Sequence, residues 1–137
     1  RYQAKISGPL LDRIDLYVEV PRVDYDKLMN GAKSEPSSSV RERVENARSI
    51  QRERFVGSSG VYANSDMGLK EVEEFCVLTK DAKQLLELSV KRMQLSARAY
   101  HRILKLARTI ADLGGSERIE MAHAAEAVQY RPKQYAG

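Results

Sequence analysis

This sequence predicts a mainly α protein, a small helical bundle preceded by a single β-strand. From about Met67 onward, apolar residues recur at helical spacing in runs separated by short connections. Hydroxyl residues stand ahead of two of those runs, Thr79 and Ser96, where a helix cap is expected. Only Ile14-Asp15-Leu16-Tyr17-Val18-Glu19-Val20 alternates apolar and polar with period two, and Pro21 ends it. One strand cannot form a sheet, so its partners are expected outside this chain.

In chain order, Ser7-Gly8-Pro9 is a turn signal, and Pro9 suits the first position of a helical turn through Leu10-Leu11-Asp12. After the strand, Gly31 to Ser39 reads as a polar, turn-rich loop. Ser39 is the expected cap of a helix over Val40 to Phe55, with Glu42 completing a capping box. Its apolar stripe is thin (Val40, Val44, Ala47, Ile50, the weaker Gln51, and Phe55), the rest is largely Arg and Glu, and Gly57-Ser58-Ser59-Gly60 breaks it. Leu69, Val72, Phe75 and Cys76 share a stripe on the next segment. Behind Thr79 the helical repeat is Ala82, Leu85, Leu86, Ser89, Val90 and Met93. A third helix of this region runs from Ser96 to Leu113, stopped by Gly114-Gly115. Ser116 with Glu117-Arg118 is expected to open a fourth, carrying Ile119, Ala122, Ala125, Ala127 and Val128.

Composition narrows the function. Hydrophobic residues make up 42% and charged residues 31% of 137, enough for one packed domain with a solvated surface. No apolar run approaches a membrane span, and no signal-peptide pattern opens the chain, so a cytoplasmic location and no membrane partner are expected. Cys76 stands alone, which excludes an intrachain disulfide, and with His101 and His123 it gives no metal-ligand spacing. Net charge is +4, compatible with a nucleotide or nucleic-acid partner without requiring one. The start at Arg1 reads as a cut from a longer protein.

The helix after Ser96 is the most informative. Ala99, Ile103, Leu106, Ala107, Ile110 and Leu113 plot to one broad face, and Arg98, His101, Arg102, Lys105 and Arg108 to the other. Such a basic face suits a solvated surface. Arg98 lies in the first turn, where the helix dipole disfavours a cation, so a bound anion is the reason it would be there.

The blocks Lys5-Ile6-Ser7-Gly8-Pro9-Leu10-Leu11-Asp12-Arg13-Ile14-Asp15-Leu16, Val40-Arg41-Glu42-Arg43-Val44 and Leu95-Ser96-Ala97-Arg98-Ala99-Tyr100-His101-Arg102 through Leu113 resemble the magnesium-chelatase-like AAA+ ATPases of the bacterial ComM/YifB type. The resemblance covers nearly the whole chain. It implies the C-terminal portion of such a protein, because no G-x-x-x-x-G-K-[ST] phosphate loop occurs here. On that reading residues 1–30 are the edge of the ATPase core, 31–64 a linker with the Arg/Glu-rich helix, and 65–137 the helical lid. The resemblance implies that Arg13 is an arginine finger acting in trans and that Arg98 is the sensor-2 arginine contacting nucleotide in cis. It implies ATP and Mg²⁺ in the full-length parent and none in this chain. The parent's partners would be identical subunits in a ring, ATP and DNA, and this chain alone would not hydrolyse ATP.

From the residues alone, Arg13 pairs with Asp12 or Asp15, and Arg102 and Arg108 are surface or salt-bridged, with Asp112 within reach of Arg108. Two further functions stay open. One is a magnesium-chelatase-type metal-insertion subunit. The other is a non-enzymatic adaptor using Arg41, Arg43, Arg48, Arg52 and Arg54 to bind nucleic acid or protein.

Overall fold

The structure, a computed structural model, describes residues 8–21 and 34–131. Six α-helices follow in order among them: α1 (Gly8–Arg13), α2 (Ser37–Arg54), α3 (Leu69–Phe75), α4 (Lys80–Met93), α5 (Ala97–Leu113) and α6 (Met121–Gln129), with a 3₁₀ turn at Asn64–Asp66. The mainly α bundle is as expected. The strand is not: Ile14–Val20 forms no ladder, and the alternation buries no face. Ile14 and Tyr17 are half-buried while Leu16, Val18 and Val20 stay exposed, so the segment lies on the bundle by a three-residue step. A period-two pattern needs a sheet to become a strand, and the described residues offer none.

α5 is the axis of the bundle, packing against α6, α2, α3 and the 3₁₀ turn, while α4 packs on α6. Ala107 and Ala111 of α5 and Ala124 and Ala127 of α6 are wholly buried. Small residues on both helices let the backbones approach closely. Leu86, Ile103, Leu104, Ile119, Val72 and Met67 fill the rest of the core, and Phe55 meets Phe75 edge-on at 5.5 Å between ring centres.

Two element starts differ from the sequence reading in instructive ways. α2 begins at Ser37, because Pro36 holds the extended entry (φ −61°, ψ 143°) and its carbonyl takes the amides of Ser39 and Val40. Ser39 is therefore inside the helix and caps nothing. α6 begins only at Met121, since residues 116–120 are recruited elsewhere: Ile119 donates to Val77 O (2.9 Å) and accepts from Thr79 N (3.0 Å), a parallel bridge opposite Leu78. His123 then supplies the cap, its Nδ1 accepting from the Glu120 amide at 3.0 Å. Thr79 and Ser96 cap α4 and α5 as expected, accepting from Ala82 N and Ala99 N.

Candidate functional site

The N-terminal half of α5 lines a groove of about 660 Å³. Arg98, His101, Arg102 and Lys105 are at i, i+3, i+4 and i+7, so they stack along one side of the helix. The other wall is Met67, Leu69 and Val72, with Asp15 and Leu16 at its edge. Three cations thus face one carboxylate in a pocket with an apolar floor. Arg98 is exposed and enters none of the ion pairs or side-chain hydrogen bonds of the described residues. Lys105 Nζ reaches Ser65 O at 3.4 Å, and Arg102 pairs with Asp15. Arg102 Nε is shielded from water and finds no acceptor. The groove can hold an anion with an apolar body. Among the described residues no group of three or more His, Cys, Asp or Glu side chains is placed to hold a metal ion.

Arg13 ends α1 and is exposed. Asp15, one of its two expected partners, is taken by Arg102 instead. The side chain of Asp12 lies outside the described residues.

Arg108 departs from the basic face on which its sequence position put it. It is 1% exposed and donates to Glu117 O (2.7 Å), Ser116 O (2.6 Å) and, through Nε, Asp112 Oδ1 (3.1 Å). Asp112 is the hub of this cluster, also accepting from both terminal nitrogens of Arg54 (2.8 and 2.6 Å) and from Asn64 Nδ2 (2.8 Å). Asn64 N in turn donates to Gln51 Oε1 at 2.9 Å. Sequence reasoning paired Arg108 with Asp112 but missed Arg54 and Asn64, 58 and 48 residues away from Asp112. The one available signal was a carboxylate near the apolar side of an amphipathic helix.

The hub also changes the Arg-rich helix. Arg54 is spent on Asp112, Arg43 on Glu35, and Arg48 approaches Glu45 at 4.0 Å. The Arg43 hydrogen bond holds the Glu35 carboxyl below its ordinary range. Only Arg41 and Arg52 of the five arginines remain without an ion pair among the described residues. Cys76 is buried beneath α5, its Sγ 3.8 Å from Leu104 O, and burial pushes the thiol up to about 11.

Residues 34–131 match the family model described as magnesium chelatase, subunit ChlI C-terminal. The chain belongs to that magnesium chelatase family. Residues 1–28 match the model described as magnesium chelatase, subunit ChlI, so both parts carry the same assignment. The chain is 47% identical to competence protein ComM of Haemophilus influenzae over 96% of its length. It is 38% identical to the proteins named YifB of Salmonella typhimurium and Escherichia coli over the same share. It spans about a quarter of the length of these relatives. Within this magnesium chelatase chain, Arg98 and Arg102 share the groove, and Arg13 stands two residues before Asp15, which edges it. No helix among the described residues is long and apolar enough to cross a membrane.

Proposed function

We propose that this chain is the C-terminal, lid-bearing part of a ring-forming AAA+ ATPase that processes DNA. The observation that carries the reading is Arg98: a guanidinium without an ion pair or side-chain hydrogen bond among the described residues, in the first turn of α5, lining a cationic groove. A cation at a helix N-terminus is locally unfavourable, and a γ-phosphate contacted from the lid would compensate for it. Arg13 is the finger for the neighbouring subunit. Phosphoryl transfer spreads charge over the equatorial oxygens, and an always-charged planar fork meets that charge without proton transfer. ATP and magnesium would be held by the parent's remaining residues, in a cytoplasmic ring of identical subunits.

The name of the 47% identical relative, a competence protein, favours DNA as the substrate. The family description favours the second reading, a subunit for magnesium insertion. The adaptor reading loses most of its support with Arg43, Arg48 and Arg54 already engaged.

The test is done in the full-length parent. Arg13→Ala should leave nucleotide binding nearly unchanged and lower turnover by about 10³-fold or more, the scale of arginine-finger effects. Arg98→Ala should lower turnover and also blunt the nucleotide-induced movement of the lid. Unchanged turnover in both variants would refute the reading.

A further inference from the structure

Ile14–Tyr17 is held on the lid at three places, by one residue of α5 and by the two residues that directly follow α6. Arg102 of α5 pairs with the Asp15 carboxylate. Arg131, just beyond α6 and 7% exposed, donates from Nη1 to Ile14 O at 3.2 Å. Tyr17 N donates to Tyr130 O at 2.7 Å. The first of these anchored residues, Ile14, follows Arg13 directly in the chain.

We infer that Arg102 and Arg131 are positioning residues for Arg13, clamping the segment behind it so that Arg13 and Arg98 are carried on one rigid body. The inference rests on the roles proposed above for those two arginines. Arg98 is four residues before Arg102 on α5, so one helix would bear both the nucleotide contact and the clamp. A displacement of α5 caused by the subunit's own nucleotide would then be transmitted through Asp15 and Ile14 to Arg13, and so to the site of the neighbour. Coupling of this kind needs two sites joined by an element whose placement both can bias. Two of the three clamp contacts use backbone groups of the held segment, which fixes its path whatever its side chains do. The Arg102–Asp15 pair is the adjustable one: Arg102 is 24% and Asp15 62% exposed on their side chains, so the pair is open to solvent and separable by substitution.

The pair is tested by reversal. Nitroxide labels on cysteines placed at the exposed Val18 and Leu88 of this chain report the distance between the held segment and α4. The buried Cys76 would stay unlabelled. A single narrow distance is expected, broadened in Arg102→Asp and narrowed again when Asp15→Arg is added. In the full-length parent, Arg102→Asp should lower turnover by on the order of tenfold at unchanged nucleotide affinity, and the double exchange should recover most of that loss. If Arg102 instead contacts the nucleotide, the double exchange loses affinity and recovers nothing, which overturns the inference. An unaltered distance distribution in both Arg102→Asp and Arg131→Met overturns it as well. These failures are distinguishable from failure of the underlying reading, because Arg13→Ala in the same preparation would still abolish turnover if the finger role is right.

Discussion

At Asp112 two guanidiniums and an amide converge on one carboxylate with no solvent exposure of its side chain. A buried ion pair is no guarantee of stability, but removing one partner leaves uncompensated charge in a low-dielectric interior. Asp112→Asn keeps the volume and removes the charge from between Arg54 and Arg108. It should cost about 3–5 kcal/mol by urea unfolding, a large part of the stability of a domain this size. Arg54→Met, which removes one of the two cations and keeps apolar volume, should cost less. Cys76 shows the converse case of a buried group kept neutral. Its thiol, raised from 9.0 to about 11 chiefly by desolvation, should resist thiol reagents in the folded state at neutral pH and react on unfolding. The linkage has a definite sign. Below 9.0 both states keep the proton, and between 9.0 and about 11 the unfolded chain loses it while the folded chain does not. Stability should therefore fall with rising pH across that window, by up to about 1.4 kcal/mol per unit, and Cys76→Ala should lack that component of the slope.

Elements were legible in the sequence where local chemistry decides them. Thr79 and Ser96 are caps because a hydroxyl ahead of an apolar-periodic run satisfies orphan amides, and no distant residue competes for the job. The face of α5 was only partly legible. Its buried side is Ala99, Ile103, Leu104, Ala107, Arg108, Ala111 and Asp112, rotated from the purely apolar stripe towards its charged members. Leu113, assigned inward by its side chain, is 44% exposed. Hydrophobicity could not find that face because Arg108 and Asp112 neutralise each other within it, and backbone carbonyls of Ser116, Glu117 and Phe75 supply the remaining acceptors. The strand at Ile14–Val20 failed for the opposite reason, since alternation describes a sheet contact that the chain's described residues do not make. The groove was legible as a set of types, the cations at 98, 102 and 105 with His101 among them. Its far wall was not, because Met67–Val72 reaches it through the fold. Gln94 offers an element-scale test. It ends α4 in the left-handed region at φ 50°, the sole non-glycine residue there among those described. Gln94→Gly should raise stability by about 0.5–1 kcal/mol in thermal unfolding, the strain relieved exceeding the added chain entropy.

The whole molecule has a division of labour along one helix. The C-terminal half of α5 is locked into the bundle through Arg108 and Asp112, and its N-terminal half presents Arg98 and Arg102 to the groove. The lock also fastens α2, through Arg54, so α2 should move with the lid. Arg13 sits one residue ahead of a segment clamped to this same body. The roles proposed for the two arginines put Arg98 at its own subunit's nucleotide and Arg13 at the neighbour's. Mixed rings test the assignment directly. Arg13→Ala and Arg98→Ala subunits of the full-length parent are co-assembled in equal amounts, and turnover is compared with each mutant alone. An interface that joins the intact Arg98 of one subunit to the intact Arg13 of its neighbour is complete, and random assembly makes about a quarter of heterologous interfaces so. Turnover far above either mutant, approaching that fraction of the unmutated ring, is the expected result. Mixed rings that demonstrably form and remain as inactive as the separate mutants would contradict it.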